Sequence, residues 1–209
     1  MTKIKICGLS RPCDIEYVNE AKPDFCGFII NVPKSKRNVS PDTVQQLVKN
    51  LSPDVKPVGV FVNAPMDEIA ALTEDGTLAY VQLHGKEDEA YIAALREKIH
   101  VPIIQAFKVS CPEDVAHAQQ SSADYILLDN GSGGTGKTFD WSHLRDITRP
   151  YILAGGLGPD NLGLAVSQLA PWGVDLSSGV ETNGFKDKNK VLAAVQAVRA
   201  DVLQRAGVY

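Results

Sequence analysis

The sequence contains no long apolar run, no excess of positive charge and no cysteine pair at metal-ligand spacing. No window approaches the roughly 18 to 20 apolar residues of a membrane span. The start, MTKIKICGLSRP, has no apolar stretch long enough for a signal peptide. A formal net charge of -4 argues against a broad nucleic-acid surface. We therefore predict a soluble, cytoplasmic protein that binds neither membrane nor nucleic acid.

The four cysteines are scattered, without C-x-x-C spacing or paired histidines nearby. Neither a disulfide framework nor a zinc site is predicted, and no other cofactor is expected. Because free cysteine is among the most buried residue types, Cys13, Cys26 and Cys111 are expected to be inert packing. Cys7 differs, since it closes an apolar run immediately before Gly8.

The sequence does contain eight short apolar runs: KIKIC, FCGFII, PVGVFV, LAYVQL, PIIQAF, DYILLD, YILAGG and GVDLSS. Segments with helical spacing lie between them, and several begin with Ser-Pro, Ala-Pro, Cys-Pro or Gly-Pro, as helices often do. Runs that are apolar on both faces suit parallel strands buried between a barrel interior and an outer layer of helices. The pattern predicts a (β/α)8 TIM barrel with a parallel eight-stranded core. An open doubly wound sheet is the alternative.

No linker, charge block or low-complexity stretch interrupts this rhythm, so residues 1–209 are predicted to form one barrel domain, taken as a monomer. The sixth and seventh helical segments, DWSHLRDIT and PDNLGLAVSQLA, are short or modest. The last segment, KNKVLAAVQAVRADVLQRA, is strongly amphipathic and is expected to pack against the first helix. Its apolar face consists of Val191, Leu192, Val195, Val198 and Val202.

A glycine-rich segment, GSGGTGKT, matches the pattern G-x-x-x-x-G-K-[ST] of a triphosphate-binding loop. Such a loop needs a helix that begins at its Lys-Thr. The next residues are FDWSHLRDITRP, in which Asp140 is an N-cap candidate for a short helix that Pro150 ends. A triphosphate site is therefore the lesser alternative, and in a barrel this segment is a lid over the substrate after the sixth strand. The predicted lid residues are Gly133, Gly134 and Gly136.

The residues that close the strands are expected to surround an active site, as in other barrel enzymes. Cys7 closes the first strand and Asp129 the sixth, and the pair offers a thiolate base and a carboxylic acid for proton transfer. Arg37 and His84 are predicted substrate contacts; a solvated cation and a structural histidine are the alternatives. Barrels commonly bind phosphate after strands seven and eight. The predicted phosphate-binding residues are Gly155, Gly156, Ser178 and Gly179.

An ordered series of segments spans essentially the whole chain: KICGLSR, CGFII, KRNVSP, VGVFVN, VQLHG, QAFKV, LLDN, GGTGKTFDW, LAGGL and DLSSGVE. The series resembles the phosphoribosylanthranilate isomerases, small barrel enzymes of tryptophan biosynthesis. By this resemblance, GGTGKTFDW is the loop after the sixth strand. One departure is Ser35-Lys36-Arg37-Asn38, where the family usually has Ser-Pro-Arg-Tyr. Arg37 stays in place, while the loop shape and the aromatic contact are affected.

The resemblance implies an Amadori rearrangement of N-(5-phosphoribosyl)anthranilate to 1-(o-carboxyphenylamino)-1-deoxyribulose 5-phosphate. It makes Asp129 the acid, Cys7 the base and Arg37 the contact to the anthranilate end. A free Asp has a pKa of about 3.9 and a free Cys of about 8.5, so the scheme requires a site that raises the first and lowers the second. The rival hypotheses are the analogous isomerase of histidine biosynthesis, which has an aspartate where Cys7 stands, and a barrel that binds phosphorylated ligands without catalysis.

Overall fold

The computed structural model describes residues 1–129 and 140–205, the last five by their backbone alone. In chain order the strands are β1 (Lys3–Cys7), β2 (Phe25–Ile30), β3 (Asn38–Val39), β4 (Lys56–Phe61), β5 (Tyr80–Leu83), β6 (Ile103–Lys108), β7 (Tyr125–Asp129), β8 (Tyr151–Leu153), β9 (Gly173–Leu176), β10 (Glu181–Thr182) and β11 (Phe185–Lys186). All but β3, β10 and β11 correspond to the eight apolar runs, which are confirmed as barrel strands.

The eight strands close into a parallel barrel. Their order around it is β1, β2, β4, β5, β6, β7, β8 and β9, and β9 pairs again with β1. An open doubly wound sheet is therefore wrong, because β1 has a parallel partner on each side. Since the strands are parallel, all their carboxyl ends lie at one end of the barrel. We call this end, with the loops that follow the strands, the mouth. β3 pairs in parallel with the end of β2, and β10 pairs with β11 as a hairpin after β9.

Helices alternate with the strands on the outside of the barrel. They are α1 (Pro12–Ala21), α2 (Pro41–Val48), α3 (Met66–Glu74), α4 (Glu89–Arg96), α5 (Pro112–Ala118), α6 (Pro159–Leu169) and α7 (Lys188–Arg205). Prolines stand at the first turn of α1, α2, α5 and α6, where the missing N–H costs nothing. No helix among the described residues is both long and apolar enough to cross a membrane.

The sixth helical segment departs from the expected α-helix. It is a single 3₁₀ turn, Trp141–Leu144, whose N-cap is Asp140 as predicted. The Asp140 carboxylate accepts a hydrogen bond from the Ser142 amide at 2.9 Å. Proline disfavours helical backbone at the residue before it, so Pro150 sets the far limit of this segment.

The last helix packs as its pattern predicts. α7 contacts both α1 and α6. Val191, Val195 and Val198 are buried and Leu192 is partly buried, while the side chain of Val202 lies outside the described residues. This apolar face joins the core between the barrel and its helices.

Four aromatic side chains close the amino end of the barrel, and we call them the aromatic plug. Phe25, Tyr80 and Tyr125 begin their strands, and Trp172 precedes β9. Their ring centroids lie 5.1 Å apart for Phe25 and Tyr80, 6.2 Å for Tyr80 and Tyr125, 4.4 Å for Tyr125 and Trp172, and 6.0 Å for Trp172 and Phe25. The rings therefore contact one another in a cycle. The apolar layer against them consists of Val58, Ile104, Leu127 and Ile152.

Candidate active site

Cys7 lies at the mouth, where the sequence places the predicted base. It closes β1, and its register partner on β2 is Gly27. The thiol is buried, with 6% of the residue exposed. A Cβ at position 27 would lie 2.8 Å from the Cys7 Sγ, too close for a real contact. Glycine at this point of β2 therefore gives the thiol its space inside the barrel.

A fully buried ion pair lies next to Cys7. Lys5 precedes Cys7 by two residues on β1, so both side chains point to the same face of the strand. The Lys5 Nζ donates to the Asp175 Oδ2 of β9 at 2.9 Å, and the two side chains are 2% and 9% exposed. Burial lowers the pKa of Lys5, but the Asp175 carboxylate and the Cys7 thiol outweigh burial and leave this pKa raised. Lys5 is therefore an ammonium ion inside the barrel.

The pKa of Cys7 differs from the lowered value that the acid and base scheme requires. Burial raises the pKa of the thiol, and the Asp175 carboxylate raises it further. The ammonium groups of Lys5 and Lys186 lower it, but the net pKa stays above its ordinary value. The expected lowering is therefore absent, and the resting thiol is protonated at neutral pH. Its thiolate, once formed, is a strong base held beside Lys5.

Asp129 and His84 lie together at the mouth, on β7 and directly after β5. The His84 Nε2 is 3.8 Å from the Asp129 Oδ2, and the two side chains are 38% and 15% exposed. Gln82 lies inside the barrel, and its amide nitrogen is 2.9 Å from the His84 Nδ1. Burial lowers the pKa of His84 in spite of the Asp129 carboxylate, so the ring is neutral. With Gln82 donating to Nδ1, the ring proton is on Nε2 and faces Asp129.

Arg37 is not the solvated cation of the alternative interpretation. Its Nε and Nη2 donate to the two carboxylate oxygens of Glu181, each at 2.6 Å, and its side chain is 22% exposed. Such a two-point contact fixes the plane of the guanidinium. No hydrogen bond to the Arg37 Nη1 is present among the described residues. The outer edge of the guanidinium thus remains open for a second planar anion.

Glu181 is itself held by a second cation. The Lys186 Nζ donates to the Glu181 carboxylate and, at 3.1 Å, to the Ser177 carbonyl. Burial raises the pKa of Glu181, but the hydrogen bonds from Arg37 and Lys186 outweigh burial and leave this pKa lowered. Glu181 is therefore ionised. The Ser177 hydroxyl donates to the Cys7 carbonyl at 3.0 Å, which ties this cluster to the end of β1.

The two loops predicted to bind phosphate lie against each other at the mouth. One follows β8 and the other follows β9, which are neighbours in the barrel. A Cβ at Gly179 would lie 1.9 Å from the Leu157 carbonyl oxygen, so only glycine permits this approach. Gly155 and Gly156 have φ angles of +86° and +66°. The predicted residues after β8 and β9 are therefore brought together in one place.

The start of α6 lies beside these loops. Gly158 is its N-cap, and the Asn161 side chain accepts from the Gly158 amide at 2.9 Å. No loop hydrogen bond among the described residues uses the amides of Gly155, Gly156 or Ser178. Free amides at the start of a helix attract a phosphate, because the helix dipole is positive there.

The predicted lid residues, Gly133, Gly134 and Gly136, lie outside the described residues. Cys26 is fully buried in the core, as expected. Cys13 and Cys111 are only partly buried, so core packing does not describe them; Cys111 is the N-cap of α5. No group of three metal-ligating side chains is found where the structure describes the chain.

Sequence reasoning missed five polar residues that the structure brings to the site. They are Lys5, Gln82, Asp175, Glu181 and Lys186. One signal was available for three of them, since Lys5, Gln82 and Asp175 interrupt runs that are otherwise apolar. A polar residue inside a buried strand needs a partner. The sequence did not show which partner each one has.

The chain matches known proteins over most of its length. A family model described as N-(5'phosphoribosyl)anthranilate (PRA) isomerase matches residues 4–197. The N-(5'-phosphoribosyl)anthranilate isomerase of Endomicrobium trichonymphae is 46% identical over 204 residues, which are 96% of this chain and 100% of that protein. Two solved structures resemble the fold with a TM-score of 0.83 and 35% identity, and in both the match covers 96% of this chain and 100% of the other.

The two solved structures represent different states. One is a phosphoribosyl anthranilate isomerase in complex with reduced 1-(o-carboxyphenylamino)-1-deoxyribulose 5-phosphate. The other consists of monomers generated from the dimeric phosphoribosylanthranilate isomerase of Thermotoga maritima.

Proposed function

The chain belongs to the N-(5'-phosphoribosyl)anthranilate isomerase family, and from this premise we propose how its residues perform the reaction. The reaction is the isomerisation of N-(5-phosphoribosyl)anthranilate to 1-(o-carboxyphenylamino)-1-deoxyribulose 5-phosphate, an aldose-to-ketose step of tryptophan biosynthesis. The order of groups around the mouth supports one arrangement of this substrate. Asp129 closes β7, the phosphate loops follow β8 and β9, and Cys7 closes β1. A phosphate bound between acid and base would leave the sugar within reach of both.

Asp129, in its protonated form, is the proposed general acid. It gives its proton to the furanose ring oxygen, the bond from that oxygen to the first sugar carbon breaks, and the nitrogen lone pair forms a Schiff base. The His84 Nε2 faces Asp129 at 3.8 Å and orients its carboxyl group. A general acid lowers the energy barrier to ring opening only if its proton is held near the ring oxygen. Gln82 and His84 support the position of the Asp129 carboxyl group.

Cys7, as a thiolate, is the proposed base. It takes the proton from the second sugar carbon, and the electrons of that C–H bond form the double bond of an enolamine while the nitrogen regains its lone pair. The enolamine then gains a proton at the first carbon and loses the proton of the hydroxyl on the second. Atoms and electrons balance without an oxidant, so the product is an isomer. The buried thiol beside Lys5 is the observation that carries this assignment.

The phosphate and the anthranilate ends are proposed to bind at separate places. Gly155, Gly156, Ser178 and Gly179 hold the phosphate through backbone amides. The open edge of Arg37 takes the anthranilate carboxylate, because a guanidinium recognises a planar carboxylate by two parallel hydrogen bonds. Binding both remote ends orients the reacting carbon between Cys7 and Asp129, which raises the rate beyond what the acid and base supply alone.

Three further properties of the chain are proposed with this function. Residues 1–209 form one barrel domain, the working unit is a monomer, and the protein acts in the cytoplasm. The dimeric Thermotoga maritima relative makes the oligomeric state the property most in need of measurement. Sedimentation equilibrium at working concentration measures it directly.

A fluorescence assay tests the proposed function. The loss of phosphoribosylanthranilate is followed with no nucleotide present, and we expect turnover by the purified chain. A Cys7→Ser or Asp129→Asn chain that turned over at the parent rate would reject the assigned roles. A crystal soaked in sulfate should show the anion between the loops at residues 154–158 and 177–181, and an anion found only elsewhere would reject the phosphate site.

A further inference from the structure

We propose that the buried ammonium of Lys5, held in place by Asp175, is the positioning group that stabilises the thiolate of Cys7 when that residue acts as a base. The inference rests on the proposed role of Cys7. It assigns to Lys5 and Asp175 a purpose in proton transfer rather than in folding.

The strand geometry places the ammonium against the sulfur. Lys5 and Cys7 are two residues apart on β1, and both are buried. A Cβ at Gly27 would lie 2.8 Å from the Cys7 Sγ and 3.0 Å from the Lys5 Nζ. The two groups therefore share the space above one glycine, which brings the ammonium close to the sulfur.

Stability does not explain this ion pair. Lys5 lies inside the barrel, where its side chain meets the Asp175 carboxylate, Cys7 and Gly27, while Ile4 and Ile6 on either side of it point to the opposite face of β1. Removing two charges from water costs several kcal/mol per ion, and replacing a buried pair by apolar residues is often neutral or stabilising. We therefore attribute the retention of the Lys5 charge to its effect on the Cys7 sulfur beside it.

Other charged groups also face the sulfur. Lys186 approaches it from β11 and lowers the pKa of the Cys7 thiol, but this ammonium is already bound to Glu181. Arg37 is bound to the same carboxylate. Cys26 of β2 is a buried thiol whose register partner on β1 is Ile6 rather than Cys7, and it packs in the core with Ile6. Lys5 is the cation with the largest effect on Cys7 among these groups.

Asp175 acts on the thiol with the opposite sign. Its Oδ2 binds Lys5, and its buried Oδ1 has no hydrogen-bond partner among the described residues. A carboxylate near a thiol disfavours the thiolate, while the ammonium favours it. Removing each charge separately should therefore shift the ionisation of Cys7 in opposite directions, and turnover should follow the ionisation if Lys5 serves the base.

The test is a pH titration of the Cys7 thiolate by its ultraviolet absorbance. Cys13 and Cys111 are first changed to Ser, and the signal of the same chain with Cys7→Ser is subtracted so that only Cys7 is measured. We expect Lys5→Met to raise the thiol pKa by about one unit or more and Asp175→Asn to lower it. Turnover of Lys5→Met near neutral pH should fall about tenfold or more and recover partly as the pH rises.

The matched control is Lys3→Met. Lys3 stands on the same strand and pairs with Asp24 at 2.9 Å, but its side chain is 42% exposed. This variant should leave the Cys7 titration unchanged. An equal titration in the parent, Lys5→Met and Asp175→Asn chains, or shifts in the same direction, would overturn the proposal.

A double variant covers the case in which Lys5→Met does not fold because it leaves Asp175 buried without a partner. Lys5→Met with Asp175→Leu removes both charges, and circular dichroism checks its fold. Because Lys5 outweighs Asp175 at the sulfur, its thiol pKa should still lie above that of the parent. An unchanged or lower value would overturn the proposal. The kinetics of Cys7→Ser test the base itself, so failure of that role is distinguishable from failure of the Lys5 assignment.

Discussion

The two ends of the barrel are built from opposite kinds of side chain. At the amino end, the aromatic plug packs four rings against an apolar layer. At the mouth, the interior holds ionised groups instead, among them the pairs of Lys5 with Asp175 and of Arg37 with Glu181.

The difference separates stability from chemistry. Burying apolar area stabilises the fold by about 25 cal/mol per Å², and contacting aromatic rings add to that. Burying charges costs free energy that their pairing only partly returns. The apolar amino end therefore adds to the stability of the barrel, and the mouth holds the groups whose charge serves the chemistry. Substitutions at the two ends should have separable effects on stability and on turnover.

The largest expected effect is on turnover, from the two proposed proton-transfer groups at the mouth. Cys7→Ser and Asp129→Asn each keep nearly the same volume but remove a base or a transferable proton. Each should lower kcat by about 10²- to 10⁴-fold, with a melting temperature close to the parent's. Steady-state kinetics on folded protein measures the loss.

The controls for this pair are Cys13→Ser and Cys111→Ser, which should stay within a few-fold of the parent. A near-normal kcat for Cys7→Ser would show that Cys7 is not the base.

At the amino end, Trp172→Ala should have the opposite effect, which is a loss of stability with little loss of turnover. It removes the ring that contacts both Tyr125 and Phe25, at 4.4 and 6.0 Å between centroids. Because Trp172 is only partly buried, we expect a loss of about 2 to 4 kcal/mol in the free energy of unfolding, with kcat nearly unchanged. Urea unfolding measures this loss, and Leu164→Ala, at an exposed position of α6, is the matched control. A large fall in kcat in the folded Trp172 variant would contradict the separation of the two ends.

A smaller effect is expected from Glu181→Gln, which sharpens the description of the mouth. The change removes the charge that fixes the Arg37 guanidinium but keeps the side chain's size. If Arg37 binds the anthranilate carboxylate, KM should rise about tenfold, with a much smaller change in kcat. The comparison is with Glu97→Gln, which lies on the exposed surface. A fall in kcat at constant KM would assign Glu181 to the chemical step instead.

The smallest expected effect comes from removing metal ions. Proton transfer between Asp129, substrate and Cys7 needs no Lewis acid, so turnover in excess EDTA should equal turnover without it. The fluorescence assay compares the two rates. Loss of activity in EDTA that magnesium restores would rule out the acid and base scheme.

Much of this architecture follows from local sequence patterns. Eight apolar runs separated by helical segments are determined by side-chain periodicity, which acts over a few residues. Once the strands are parallel, their last residues must lie at one end, so Cys7, Asp129 and the loops after β8 and β9 could be predicted to meet. The 3₁₀ turn at Trp141–Leu144 departs from the α-helix that the pattern predicts.

The charge partners at the mouth were decided by tertiary structure alone. Lys5 binds Asp175, 170 residues away along the chain, and Arg37 binds Glu181, 144 residues away. No local pattern records such a pairing, because it exists only after β9 closes the barrel against β1. The proton affinity of Cys7 was decided in the same way. A cysteine in KIKICG can be identified from the sequence, but the burial that raises its pKa and the ammonium that lowers it depend on side chains that the closed barrel brings within contact.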